Sequence, residues 1–513
     1  MKRVAVIGAG ISGLAAALTL AEHSPDIQVT LFEGSDRVGG VLETIHDGHY
    51  LIERSADNFA TLIPNALELS RRCGLAAELI SPEANNRQAL VLHKGVLRPI
   101  PVGFSLMQPT RIGSILTTRT LSWSAKLRLL GEFWIPRRAV DEDESLESFS
   151  TRRLGRETYE NLVEPIVSGI FTADPATLSM RATMPQFVEM EQRAGGLIRG
   201  HLAARKKDAA AAARRASGAR YDQFVAPRQG MSWWVDALAQ RLPAQTLKLN
   251  TPVQSLRIQP SRPHDAERRA TLPNTPVQSL RMQPGPTSHA ADGQTKDAEA
   301  GGRWRLETAS ESLMFDGVIC SAPAATTARL LGESLPAAAT IVAGISYASS
   351  AVVAMVVDRT ALPGRTDAFG LIVPRKARRQ TLAISFTSNK YPGRVPTGEI
   401  LLRIFLGGAL SPETVELSDS QLLELAHAEL RDILGWSGSA AKWQGVMRWR
   451  EAMPQYVLGH LDRMQQLQHE LSAFPTLKLC GAGYAGVGIP QCVRGAEQAA
   501  NELMACLSDK RSK

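Results

Sequence analysis

Over the first 33 residues the pattern of apolar and polar positions changes twice. Val4-Ala5-Val6-Ile7 is an unbroken apolar run stopping at Gly8, as expected of a strand buried on both faces. Ile11 to Glu22 reads as a helix, and Gln28-Val29-Thr30-Leu31-Phe32 is a β-branched and aromatic run ending at Glu33. Strand, tight turn, helix and strand in this order predict a βαβ unit and hence a parallel sheet.

From Ser122 to Gln192 the periodicity is helical, broken at Asp141-Glu142-Asp143-Glu144 and Thr172-Ala173-Asp174-Pro175, which predicts a helical subdomain. Arg199 to Arg220 is rich in Ala, Arg and Lys and reads as a solvated helix or loop, with a surface for anionic lipid or carboxylate substrate as the alternative. Asn250 to Pro260 (NTPVQSLRIQP) recurs at Asn274 to Pro284 (NTPVQSLRMQP). Two copies cannot form a solenoid. The first follows a predicted helix (Trp233 to Arg241) and strand start and is taken as the working element. The second falls in an insertion of about 259–302, expected to be exposed and poorly ordered. Strand patterning resumes at Trp304–Thr308 and Phe315–Cys320 and returns at Ala351–Val357, Thr381–Phe386 and Ile400–Phe405. Leu477–Cys480 and Pro490–Leu507 read as the final strand and helix. A sheet begun near the first residue and finished near the last implies domains that are discontinuous in sequence.

At 513 residues the chain has room for about three domain-sized units. Its 44% hydrophobic and 21% charged residues, with 41 Gly and 29 Pro, exclude collagen-like and disordered classes. The formal charge of +8 permits an anionic partner without selecting one, and nucleic acid is not expected. Five cysteines without a C-x-x-C pair argue against a disulfide framework or a metal site and fit a reducing cytoplasm. Met1-Lys2-Arg3 and the apolar run to Ala21 imitate a signal peptide, but the glycines within it have a better use. The longest other apolar stretches, such as Ser350–Val357, fall short of the roughly 18 residues that span a bilayer, so any membrane contact would be peripheral.

That better use is chemical. Gly8-Ala9-Gly10-Ile11-Ser12-Gly13 lies between predicted strand and helix. In such a turn the first glycine permits the reversal, the second lets the backbone approach a pyrophosphate, and the third allows close helix–strand packing. The helix start offers N–H groups and a positive dipole end to the phosphates. Glu33 follows Gly13 by 20 residues, where a carboxylate can accept from ribose hydroxyls. Gly34, Arg37, Gly39, Gly40 and Val41 come next, so an arginine and bare backbone can cover the other face of the diphosphate. An acid followed by R-x-G-G resembles the amine-oxidase-like flavoproteins, whose cofactor is FAD. Ala482, Val487, Gly488 and Ile489 lie in the glycine-rich stretch Gly481–Pro490, which leads into a helix. Backbone N–H groups there can meet the N1 and O2 side of a flavin, where negative charge gathers on reduction.

Five segments in order resemble the protoporphyrinogen oxidase and coproporphyrinogen III oxidase family over almost the whole chain. They are Asn86-Arg87 with Val91–Pro101, Val167–Met180, Phe369–Pro374, Trp449–Tyr456 and Gly486–Cys492. Thr172-Ala173 stands where Ala-Gly is usual. The resemblance implies an α/β fold with a discontinuous Rossmann-like FAD domain (1–80, 245–330 and 475–513). It implies a mixed-sheet substrate domain (81–110, 196–244 and 331–474) and a helical subdomain (111–195). It implies six-electron oxidation of a porphyrinogen, protoporphyrinogen IX ahead of coproporphyrinogen III, with dioxygen reoxidising the flavin to give peroxide. No general acid–base pair is implied, and no catalytic side chain is assigned. Arg87 is the expected propionate partner, Phe369 the ring against a pyrrole, and Gly169 the close backbone approach. Asn58 and Trp449 are expected at the substrate, Ala56 and Asp57 at the flavin, and Val253 at the adenine end, with Val277 as its less favoured duplicate. His93 reads as a turn residue, and Cys480 and Cys492 as buried hydrophobes. A homodimer, peripheral membrane contact and hand-over to a ferrochelatase also come with the resemblance. The nearest rival is an amine oxidase. Against it, no lysine occurs between Arg303 and Arg375, and only Tyr484 stands where a tyrosine pair is expected. Carotenoid-type desaturases and a flavin-binding scaffold without turnover are the more distant alternatives.

Overall fold

Lys2–Ile7 forms β1, and its apolar run is buried because both faces are covered, Val4 and Val6 packing in the core with α1 (Ile11–His23) and Ala5 and Ile7 in the core on the opposite face. β1 is the middle of a five-stranded parallel sheet ordered Leu247–Lys248, β2 (Ile27–Phe32), β1, Gly317–Cys320 and Leu477–Leu479. Val6 pairs with Leu31 on one side and Ile319 on the other, so residues more than 300 positions apart share one ladder. The computed structural model describes residues 1–85, 87–109, 111–139, 142–207, 223–259, 302–438 and 440–508. Asn86, most of the basic stretch after Lys207, and the second repeat copy with Val277 lie outside the described residues.

α1 (Ile11–His23) is buried along its whole length from Ile11 to Leu20, because two layers enclose it. The sheet covers one side, and the helix Ile489–Ser508 covers the other through Val493, Ala496, Ala500 and Leu503. Being apolar all round is what such a position demands. The helix Met231–Ala239 joins the same core through Met231, Trp234, Val235 and Leu238. Phe224–Pro227 pairs with Phe59–Ala60 and Leu79–Ile80. Residues 223–244 were expected in the substrate domain, and their packing corrects that assignment: they belong to the βαβ layer. Ser255–Gln259 pairs antiparallel with Arg303–Glu307, ending at Gln259 opposite Arg303, so the two sides of the expected insertion are direct neighbours.

A second sheet has seven strands, ordered Trp443–Pro454, Tyr347–Asp358, Glu399–Gly407, Thr381–Phe386, Gly370–Ile372, Ala89–His93 and Val96–Pro99. It is mixed, its one parallel junction joining Gly370–Ile372 to Ala89–His93. The helix Asp419–Leu434, begun by a Ser418 capping box, covers one face with Leu422, Ala426, Leu430 and Leu434. The hairpin Thr44–Asp47 and Tyr50–Glu53 brings Ile52 against Val352, Val356 and Leu401, so this sheet leans on the first unit.

Between them the chain from Ile112 to Lys207 is helical, around Leu129, Phe149, Leu162 and Val167. Leu197 joins this core, which places the helix Leu197–Lys207 with the helical unit and not in the substrate domain. Arg153 and Glu132 are fully buried and 2.6 Å apart. Arg153 also donates to the carbonyls of Ile135 (3.0 Å) and Gly195 (2.9 Å), while Glu132 accepts from the N–H groups of Leu197 (2.7 Å) and Ile198 (3.0 Å). Neither charge has water to fall back on. Arg153→Met is expected to lower stability by about 3–5 kcal/mol, because it leaves a buried carboxylate without its cation. A urea melt checks this, and an unchanged midpoint would show that Glu132 is satisfied by backbone alone.

Candidate functional site

The reversal between β1 and α1 is built on contacts a methyl group would forbid. A Cβ at Gly13 would lie 1.8 Å from the Gly8 carbonyl oxygen, and Gly8 itself has φ of +95°. Beneath the turn the Ser321 hydroxyl lies 2.9 Å from both the Ile7 and Gly8 carbonyls. Gly10 is different: nothing lies within 4 Å of a Cβ built there. Space over Gly10, a helix start with no side-chain cap, and a carboxylate at the end of β2 together form a cradle that fits a dinucleotide diphosphate. Glu33 stands at the rim, accepting from the Ala9 N–H at 2.7 Å and from Ser35.

The loop after Gly34 closes beside this turn. The Gly39 N–H donates to the Ala9 carbonyl at 2.8 Å, and a Cβ at Gly40 would come within 3.4 Å of the Gly10 Cα. Arg37 holds the loop from inside, donating to the carbonyls of Val38, Leu42 and Gly40 and pairing with Glu43 at 3.0 Å. Its guanidinium is thus engaged with the loop itself, whereas Val41 is exposed. On the far side Ala482 packs against the same core as α1, and a Cβ at Gly481 would lie 4.0 Å from the Ser12 hydroxyl. The stretch 481–488 therefore borders the start of α1, with Val487 and Gly488 half-buried and Ile489 buried as the helix begins. Ala56 packs against that core as well, and Val253 is buried, its carbonyl accepting from Arg329 at 3.2 Å.

At the seam with the second sheet lies a cluster of charges. Glu53 is fully buried, accepting from the Thr44 hydroxyl at 2.8 Å and the Met231 N–H at 3.1 Å. Burial lifts its carboxyl to about 7 against the pull of Arg394 and Arg403. Burial also opposes ionisation of Asp57, but Lys390 at 3.2 Å and Arg403 at 3.7 Å outweigh it and hold Asp57 below the usual carboxylate range. Asn58 donates to Asp57 at 2.8 Å, and the Trp449 indole donates to the Arg54 carbonyl at 3.0 Å. Sequence reasoning found Asp57 and Asn58 but missed Lys390, Arg394 and Arg403. Arg403 sits inside the apolar run Ile400–Phe405, and that lone charge was the available signal.

Other expected positions are more peripheral. Arg87 turns back on its own loop, donating to the carbonyls of Glu83 (2.8 Å) and Pro82 (2.9 Å). Phe369 is 4% exposed, immediately before the strand Gly370–Ile372. A Cβ at Gly169 would make ordinary contact with Ile372 and Ala383, so this glycine faces the sheet without needing to be bare. Thr172, which ends the helix Glu164–Phe171, takes φ of +47°, a strained choice for a β-branched residue. Cys492 is buried and its thiol is pushed up to about 11 by that burial, and burial pushes Cys480 up further, which disfavours the thiolate at both.

The chain resembles known proteins over nearly its whole length. It matches the flavin containing amine oxidoreductase family over residues 11–504, and it belongs to that family. Its cofactor is FAD. Within the family it falls among the porphyrinogen oxidases. It is 31% identical to coproporphyrinogen III oxidase of Bacillus subtilis (strain 168), covering 99% of this chain and 98% of that one. It is 28% identical to the chloroplastic protoporphyrinogen oxidase of Nicotiana tabacum, covering 98% and 85%. A crystal structure from Exiguobacterium sp. 255-15, provisionally assigned as a protoporphyrinogen oxidase, superposes with a TM-score of 0.77 at 27% identity, covering 98% and 99%.

The two glycines of the turn separate folding from binding. Gly10→Ala is expected to leave the melting temperature of the apoprotein unchanged while weakening FAD binding at least about tenfold, since its methyl group enters only the cradle. Gly13→Ala is expected to lower both, because its methyl group meets backbone. Equal effects of the two variants in thermal melts and FAD titrations would place the cofactor elsewhere.

Proposed function

We infer that the protein is an FAD-dependent oxidase of a porphyrinogen, and that the observation carrying this reading is full-length similarity to porphyrinogen oxidases around an intact dinucleotide cradle. Bound FAD supplies a two-electron acceptor that dioxygen can regenerate with release of peroxide. A porphyrinogen needs three such steps to reach the conjugated macrocycle. What the chain contributes is position and exclusion of water. Glu33 and the α1 start would hold the dinucleotide, and the stretch 481–488 would meet the pyrimidine end of the flavin. The Asp57 cluster fixes the backbone of residues 55–58, which would border it. Arg87 is the proposed propionate partner, its guanidinium leaving the Glu83 and Pro82 carbonyls to meet the acid, a charge-assisted contact stronger than the one it replaces. Phe369, Gly169, Asn58 and Trp449 complete the proposed substrate wall. Protoporphyrinogen IX remains the first reading of the substrate. Coproporphyrinogen III is the second, favoured by 31% identity to an enzyme named for it against 28% for the plant protoporphyrinogen oxidase.

A surface feature supports peripheral membrane contact. Among the described residues no helix is long and apolar enough to cross a membrane. Yet Trp123, Leu127 and Trp134 are 68%, 67% and 73% exposed on the helical unit, the first two one turn apart on the helix Trp123–Leu130. Exposed Arg199 lies over the ring of Phe133, beside Trp134, whereas the Lys126 ammonium against the Trp123 ring belongs to a buried residue and donates to the Leu116 carbonyl at 2.8 Å. Aromatic rings with cations beside them suit the headgroup level of an anionic bilayer.

Anaerobic mixing of the holoenzyme with each porphyrinogen tests the function. The visible band of oxidised flavin should bleach, and porphyrin fluorescence should appear once air is admitted. Faster bleaching by one substrate selects it, and no bleaching by either would overturn the assignment. In sedimentation with vesicles containing anionic lipid, the protein is expected to pellet with them. A Trp123→Ser/Trp134→Ser double variant should stay in the supernatant with its activity in detergent retained, and equal partition of the two proteins would remove this surface from consideration.

A further inference from the structure

The segment following the strand Trp443–Pro454 connects two parts of the molecule that otherwise have little reason to move together. Its backbone is tied to the helical unit: the Ser179 N–H donates to the Tyr456 carbonyl at 2.8 Å, and the Leu458 N–H to the Thr177 carbonyl at 2.9 Å. The Gln455 side chain donates to the carbonyl of Phe171 at 3.2 Å, beside strained Thr172. Its two aromatic side chains face the other way, toward the stretch 481–488. The Tyr456 hydroxyl donates to the Ala482 carbonyl at 2.5 Å and accepts from the Gly486 N–H at 2.6 Å. The His460 ring lies flat on the Tyr456 ring, 4.2 Å between centroids and 14° between planes, and its Nε2 is 3.2 Å from the Tyr484 carbonyl.

Both side chains are buried, at 4% and 1% exposure. Burial pushes the Tyr456 phenol well above its ordinary range, so it keeps its proton, and pushes the His460 imidazole down, so it stays neutral and donates from Nε2. Three backbone groups within five residues of a glycine-rich loop are thus fixed by two side chains. Ala482 and Tyr484 pack into the flanking cores, but Gly481 and Gly486, at φ of +123° and +132°, have no side chain to pack, so the loop depends on these hydrogen bonds at its glycines.

We propose that Tyr456 and His460 are a positioning pair that holds the loop 481–488 in the one arrangement that aims its N–H groups at the flavin, and that through residues 455–458 this arrangement is tied to the helical unit. The proposal rests on the reading that this loop meets the flavin's pyrimidine end. Neither residue touches the reacting atoms. Their effect is on how much more tightly reduced flavin is held than oxidised flavin, because aimed N–H groups favour the negative charge that appears on reduction.

The test compares Tyr456→Phe, His460→Ala, His460→Gln and Gly488→Ala holoenzymes with the parent protein, reading FAD dissociation constants, the flavin midpoint potential, melting temperature and steady-state kinetics. Tyr456→Phe is expected to weaken binding of reduced flavin about tenfold more than that of oxidised flavin, which lowers the midpoint potential by about 30 mV for a two-electron couple. With that fall, kcat should drop while KM holds. His460→Ala should lower the potential in the same direction and His460→Gln, which keeps a donor for the Tyr484 carbonyl, should restore it; this pair carries the test if Tyr456→Phe does not fold. A lower melting temperature with an unchanged potential in both Tyr456→Phe and His460→Ala would overturn the positioning role. If Gly488→Ala shifts the midpoint potential while those two do not, the loop reading stands and the proposal fails. If none of the variants shifts it, both fail.

Discussion

The site depends on one absent methyl group. With hydrogen at Gly13, α1 can lie against the Gly8 carbonyl, and a Cβ there would sit 1.8 Å from that oxygen. Because α1 lies so close, its first turn reaches the carboxyl end of β1, where the flanking parallel strands also end. Ser321, arriving from the strand Gly317–Cys320, then places its hydroxyl under the turn and ties down the same carbonyl. Space over Gly10, the carboxylate at the end of β2 and the approach of residues 481–488 all follow from that contact. A larger residue at this point would lift the helix and separate the parts before any cofactor arrived.

A second constraint operates where the two sheets meet. Asp57, Glu53, Arg394 and Arg403 are buried together there, and half-buried Lys390 pairs with Asp57 at the edge of the cluster. Buried charges of this kind contribute little net stability, yet separating them is expensive. Arg394 also donates to the carbonyls of Pro227 and Arg228, at 3.0 and 3.3 Å, so it fastens the segment before the helix Met231–Ala239. The cluster thereby fixes how the units are set against each other more than how stable either one is.

The legible parts of the molecule were local. Glycine spacing, an unbroken apolar strand and an acid 20 residues on identify the dinucleotide unit, because each acts through neighbours close in sequence. The five ordered segments carried the family, and the described structure includes each of them except Asn86. What sequence could not show was which surfaces meet. The helix near Trp234 was anticipated, but amphipathic spacing says only that a face is buried, not against what. It packs on α1 when it was assigned to the other sheet. Lys390 meets Asp57 across 333 positions, and no periodicity connects them. Tyr456 was in plain view within a motif, but its work is done on backbone atoms of residues 482 and 486, which leave no trace in side-chain pattern.

The sheet order also has a consequence for synthesis. The phosphate turn is encoded in the first thirteen residues, but the strand Leu477–Leu479 and the helix that shields α1 come about 470 residues later. At roughly 5–20 residues per second a ribosome needs between about 20 and 100 seconds to make the intervening chain. Throughout that interval β1 lacks part of its sheet, and α1 lacks the helix that covers its apolar flank. The cradle's first wall is thus the first part of the chain to be made, and its last wall, residues 481–488, is among the last.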